Sequence, residues 1–152
     1  MRVDFYQLGS VPLERVIVGI AEKLLACEER LLVLASDHAL LARLDRMLWD
    51  QDPAGFLPHG LAGGADESRQ PVLLSASPDA SNGARNLLIA DGQWREAALG
   101  FERAFYLFDG ATLEAARTAW RSLAEHSEAE RHYWANEDGR WVEKANSARQ
   151  SA

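Results

Sequence analysis

The sequence predicts an α/β fold, a sheet flanked by helices, and three observations carry that prediction. Short, almost wholly apolar runs recur along the chain: "RLLVLAS" from Arg30, "PVLLSAS" from Pro71 and "RNLLIAD" from Arg85. Runs of that length, bounded by turn residues, suit strands buried on both faces of a sheet. The first four segments alternate strand, helix, strand, helix, as α/β sheets do. Finally, 152 residues at 47% hydrophobic and 26% charged can form one domain with a sizeable core and no cross-links.

Taken in order, "VDFYQL" (Val3 to Leu8) alternates apolar and polar and reads as the first strand. Gly9 then breaks the chain, Ser10 is a candidate cap and Pro12 fits a first helical turn. Leu13, Val16, Ile17, Ile20, Ala21 and Leu24 recur at helical spacing, which places an amphipathic helix over Val11 to Glu28. After the second strand Asp37 caps a helix whose stripe is Leu40, Leu41, Leu44, Met47 and Leu48. "MLWDQDPAGFLPHGLAGG" follows from Met47, too broken by Pro and Gly for one element yet rich in large apolar side chains. "GGADESRQ" reads as an exposed loop, and "PDASNG" as the turn between the next two strands. "ALGFERAFYLFD" reads as a further strand region with a possible helical start. Residues 110–134 read as one long helix, capped by Thr112, with Leu113, Ala116, Trp120 and Leu123 on its buried face. Asp138-Gly139 is a turn before an edge strand at "RWV", and the polar residues 146–152 read as a flexible tail to a domain of residues 1–145.

Composition narrows the function classes. A net charge of −7 argues against a large nucleic-acid footprint. The lone cysteine, Cys27, allows no internal disulfide, as befits a cytoplasmic protein, and it sits by the first helix as a small core residue. No run of about 18 apolar residues suggests a membrane span, and the N-terminus lacks the pattern of a signal peptide.

Local catalytic motifs are missing. The chain has neither G-x-x-x-x-G-K-[ST] nor G-x-G-x-x-G after the first strand, so no backbone cradle for phosphate is expected, and no nucleotide cofactor. "GLAGGADE" follows no strand and holds no lysine, and there is no G-x-S-x-G. Among His38, His59, His126 and His132 no pair has helical i, i+4 spacing. His126 and Glu130 share a predicted helical face, but two exposed ligands make no metal site. No acidic residue falls inside an apolar run where burial would raise its pKa.

Two features suit partner binding instead. Trp49 ends its helix just past the core stripe, with Phe56 in the loop beyond, and both rings can either fold onto the core or anchor a partner. In the late helix Arg117 and Arg121 lie one turn apart beside Trp120, with Phe108 ending the preceding strand. A guanidinium beside an aromatic pocket can take an acidic peptide with an apolar side chain, although arginines on a helix are more often simply solvated.

"VDFYQL", "RLDRMLWDQDPAGFLPHGLAGG", "NLLI" and "EAARTAWR" together resemble the chi subunit family of bacterial DNA polymerase III, accessory proteins of the clamp loader. The resemblance covers roughly residues 2 to 145 and is most specific in the middle block. It implies a three-layer α/β/α Rossmann-like fold, similar to P-loop nucleotide-binding folds but without the phosphate loop. It implies no catalysis and no cofactor. It also implies an adaptor that is a monomer within a heterodimer, linked to the clamp loader through the psi subunit and to the acidic C-terminal tail of single-stranded-DNA-binding protein. DNA is then reached only indirectly.

By that resemblance Trp49, Phe56 and Pro58 contact psi, while Phe108, Arg117 and Trp120 bind the tail. Met47, Leu48 and Leu61 close the core, leaving Trp49 and Phe56 outward. Members of the family can carry a lysine one turn before the arginine, where this chain has the Leu113 region, and a late basic or aromatic residue where it has Leu123-Ala124. Both changes lower positive charge, implying a weaker grip on the tail or a contribution from Arg121. Two other functions stand beside this one: a small-molecule α/β enzyme, which requires a deep polar pocket at the carboxyl ends of the strands, and direct binding of single-stranded DNA.

Overall fold

The computed structural model describes residues 1–51 and 57–147. They build one sheet of eight strands in the order β3-β4-β2-β5-β6-β1-β7-β8. The strands are β1 (Arg2–Gln7), β2 (Leu31–Leu34), β3 (His59–Leu61), β4 (Val72–Ser75), β5 (Asn86–Ile89), β6 (Arg103–Phe108), β7 (Glu130–Glu137) and β8 (Arg140–Asn146). All neighbours pair parallel except β7 and β8, which form an antiparallel hairpin. Helices α1 (Leu13–Ala26) and α2 (His38–Gln51) pack on one face and α3 (Leu113–Ser122) on the other, giving the three layers expected.

The apolar runs explain the layering. In β2, Leu31 and Val33 join the α1/α2 core while Leu32 and Leu34 join the α3 core, and all four are fully buried. Each such leucine stabilises the fold by about 1.5–3 kcal/mol. Asp37 begins α2 as expected, accepting the Ala39 amide at 2.9 Å. Ser10 is not the cap of α1: the helix starts at Leu13, with Pro12 in extended conformation at the N-cap position and no side-chain cap there among the described residues. Thr112 acts one step earlier than expected, in a reciprocal cap with Asp109 that opens a 3₁₀ turn leading into α3. Gly92, at φ +71°, lies so close to the Thr112 side chain that a Cβ would sit 2.5 Å from its hydroxyl. That approach sets the start of α3 against the loop after β5.

The long helix expected over residues 110–134 is divided. It stops at Ser122, passes through a 3₁₀ turn at Leu123–Glu125, and from Glu130 the chain is strand β7. The reason lies in the stripe. One turn and two turns past Leu123, the next core positions are Ser127 and Glu130, which offer nothing to bury. From Glu130 the residues serve a sheet with two covered faces: Tyr133 packs toward α3 and Trp134 stacks on Tyr6 across the sheet. His126 and Glu130 therefore share no helical face.

Cys27 is exposed at the end of α1, not part of the core. Asp4 is the reverse case, a carboxylate fully buried within β1, where no buried acid was expected. Arg2 and Arg103 pair with it at 2.9 Å each, and the Trp134 indole N–H donates to it at 2.9 Å. Burial alone would raise its pKa; the hydrogen bonds from Arg2 and Trp134 and the two guanidinium charges outweigh burial and hold it below the usual aspartate value.

Candidate functional site

A cavity of about 440 Å³ opens between α3 and the β1-β7-β8 end of the sheet. It exists because the β7–β8 hairpin carries the sheet beyond the helix that covers its neighbours. Its apolar surface is an aromatic cluster. Phe5 and Phe108, both buried, meet at 6.5 Å. Trp120 lies 5.1 Å from Phe5 and Tyr133 lies 5.9 Å from Phe108, both measured between ring centroids. Trp120 and Tyr133 cross at 90°, the edge of one ring toward the face of the other, a favourable quadrupole arrangement.

Polar contacts fix the rings. Arg131 lies over the Trp120 ring at 4.6 Å and donates to the Trp120 carbonyl oxygen at 2.8 Å. The Tyr133 hydroxyl donates to Gln7. Burial raises the Tyr133 pKa, opposed by the nearby charge of Arg117.

Three cations border this floor: Arg117 and Arg121 from α3 and Lys144 from β8. Arg117 pairs with Glu114 at 2.8 Å, an exposed i, i+3 pair. Lys144 pairs with Glu137. Arg121 forms no ion pair among the described residues. All four residues singled out in the sequence, Phe108, Arg117, Trp120 and Arg121, thus line one cavity, Phe108 as part of its buried floor. Tyr133, Lys144 and Ala145 also line it and escape the sequence reading, which puts Tyr133 in a helix and the edge strand only at "RWV".

The opposite end of the sheet holds the other candidate surface. Trp49 is 49% exposed in the last turn of α2, its ring 4.6 Å from that of His59 on β3. His59 itself is buried, its two ring nitrogens 2.8 Å from the Leu57 carbonyl oxygen and 3.1 Å from that of Asp45. Pro58 is half-buried; Phe56 lies outside the described residues. The apolar loop serves partly as a lid: Leu48 and Leu57 are core residues and Met47 packs against them. Leu61 does not close the core. It is 38% exposed on edge strand β3; Leu57, just before that strand, takes the buried role.

At the carboxyl ends of β2 and β5, where open α/β sheets commonly hold small ligands, the polar groups are already satisfied by one another. Arg95 bridges Asp91 at 2.6 Å and donates to the Ser36 hydroxyl at 2.6 Å, and Asp91 accepts the Ser36 amide at 3.0 Å. Burial opposes ionisation of Asp91, but the Arg95 and Ser36 hydrogen bonds lower its pKa overall. No helix among the described residues is long and apolar enough to cross a membrane.

Residues 1–129 match the family model described as DNA polymerase III chi subunit, HolC. The chain belongs to the chi family. Among curated proteins it is similar to DNA polymerase III subunit chi of Escherichia coli (strain K12), at 29% identity over 82 residues. That match takes in 54% of this chain and 56% of the relative, so the chain spans little more than half the length of the curated relative it matches. The description of that family model names a subunit of DNA polymerase III. The family match ends before β7 and β8, although those strands supply one wall of the cavity.

Proposed function

We propose that this chain is a non-catalytic adaptor in DNA replication, linking the clamp loader, through psi, to the acidic C-terminal tail of single-stranded-DNA-binding protein. The observation that carries the reading is the convergence of Phe108, Arg117, Trp120 and Arg121 on one cavity. The last apolar side chain of the tail lies on the aromatic floor. Its terminal carboxylate exchanges with Glu114 for Arg117, whose planar guanidinium suits a bidentate grip. Exposed pairs such as Glu114–Arg117 hold by at most about 1 kcal/mol, so the exchange costs little. One bidentate ion pair and one aromatic contact suit micromolar binding, roughly −8 kcal/mol.

Psi docks on Trp49, Pro58 and Phe56. The described part of that surface and the cavity lie at opposite ends of an eight-stranded sheet, an arrangement in which both partners can be held at once. Calorimetry with a synthetic tail peptide tests the reading. Arg117→Ala is expected to weaken binding at least about tenfold, the loss of one charge-assisted bidentate contact, while Trp49→Ala leaves it unchanged. Unaltered affinity in Arg117→Ala and Trp120→Ala would remove the tail from this cavity.

A further inference from the structure

We propose that Lys144, on the hairpin strand beyond the family match, reads an acidic side chain of the tail just upstream of its terminal residue. The inference rests on the tail-binding reading of the same cavity and adds a residue that sets its specificity. It starts from an irregularity in the β7–β8 ladder. Tyr133 pairs with Ala145, but the next residue of β7, Trp134, pairs with Glu143, leaving Lys144 without an opposite number. A bulge of this kind places two residues of one strand against one of its partner and re-aims a side chain.

The direction follows from the neighbours. Glu143 bonds His132 at 2.7 Å and Asn146 at 2.8 Å on the face away from α3. Regular alternation would then send Lys144 to the cavity and Ala145 back to the far face. With the bulge, Lys144 and Ala145 both line the cavity beside Tyr133. Small Ala145 leaves the aromatic floor open, and Lys144 stands across it from α3 with its two arginines. The cation that family resemblance led one to expect on the late helix is thus supplied from the opposite wall. An extended peptide whose terminal carboxylate lies at Arg117 passes between the two walls, so its upstream carboxylates fall toward Lys144, whose ion pair among the described residues is with partly exposed Glu137.

The test is a calorimetric comparison on the full chain with two synthetic peptides. Both end in an apolar residue with a free carboxylate; one carries aspartates before it and the other asparagines. Lys144→Met is expected to weaken the aspartate peptide about three- to fivefold and to change the asparagine peptide less than about twofold, the size of one exposed ion pair. Lys144→Arg restores the difference. Arg117→Ala weakens both peptides. Equal losses for the two peptides in Lys144→Met, or none, with the Arg117 effect intact, overturn the role of Lys144 and leave the tail site standing. If neither Arg117→Ala nor Trp120→Ala weakens either peptide, the tail reading falls and the Lys144 role with it. Lys144 is exposed, so denaturant unfolding of Lys144→Met should match the wild type and exclude a folding defect.

Discussion

The two ends of the sheet solve the problem of holding a partner in different ways. At the β3 end a single indole projects from the last turn of a helix, backed by buried His59. At the β8 end no large apolar side chain among the described residues projects; aromatic rings from β1, β6, α3 and β7 form a concave floor, and cations stand at its border. A projecting ring contributes apolar area and little charge, so binding there should depend weakly on salt. A cationic cavity loses Coulomb attraction as ions screen it, so binding there should fall as salt rises. Each end also has its own buried polar pin, His59 at the start of β3 and Asp4 within β1, and of the two Asp4 ties two guanidinium groups and an indole to the strand that floors the cavity.

The largest expected effect would break this comparison at the β8 end. Asp4→Ala should destabilise the protein by about 2–4 kcal/mol in urea unfolding, because it leaves the Trp134 N–H and two guanidinium groups without their acceptor. The cost stays below that of a wholly buried pair, since Arg2 and Arg103 are each over a third exposed and can recover water. The sign with pH follows from the lowered pKa of Asp4. The unfolded chain binds the proton more readily, so the contribution is complete above the unfolded value near about pH 4 and is lost as pH falls through the lower folded value. The gap between wild type and Asp4→Ala should therefore narrow in acid; a gap that stays constant to the lowest pH at which both fold would show that the carboxylate charge is not what holds this end.

Next in size is Trp49→Ala, which should cost about 2 kcal/mol or more in psi binding, as truncation of an interface tryptophan commonly does, and less than about 0.5 kcal/mol in stability, because half the ring already faces water. A loss of stability as large as the loss of binding would make the ring a core lid and reduce the comparison to one binding end.

What could be read from the chain differs between the two ends for a physical reason. The burial of Leu48 follows from the helical stripe of α2 and was legible locally, whereas spacing left its neighbour Trp49 open between core lid and partner anchor, and only the family resemblance turned that ring outward. Leu57 and Leu61 were not legible: which leucine closes the core is decided by the three-residue pairing of β3 with β4, and a strand that short has no periodicity to read. At the β8 end Phe108, Arg117, Trp120 and Arg121 were found because they lie close in sequence on consecutive elements. Tyr133 and Lys144 were hidden by the divided helix, although the polar Ser127 and Glu130 in its stripe were the signal, and by a bulge that no pattern of alternation announces. Asp4 was passed over because a charge in an alternating strand looks solvent-facing until its partners Arg2, Arg103 and Trp134, two of them about 100 or more residues away, are brought beside it.

The smallest expected effect is also the sharpest probe of how the cavity works. Arg117 is engaged by Glu114, one turn back in α3, so a tail carboxylate must displace a carboxylate already in place. Glu114→Gln removes that competitor's charge while keeping its shape. Tail affinity should then rise, by no more than about fivefold, since exposed pairs rarely exceed about 1 kcal/mol, and the gain should shrink at high salt. The same change removes a negative charge from the first turn of α3, where it favours the helix dipole, so stability should fall by about 0.3–1 kcal/mol while binding improves. Opposite signs in the two measurements would distinguish a competitor for Arg117 from a residue that merely supports the helix. A parallel loss of binding and stability would mean that Glu114 orients Arg117 for the tail, and the concave end would then owe its selectivity to an arginine held ready by its own helix.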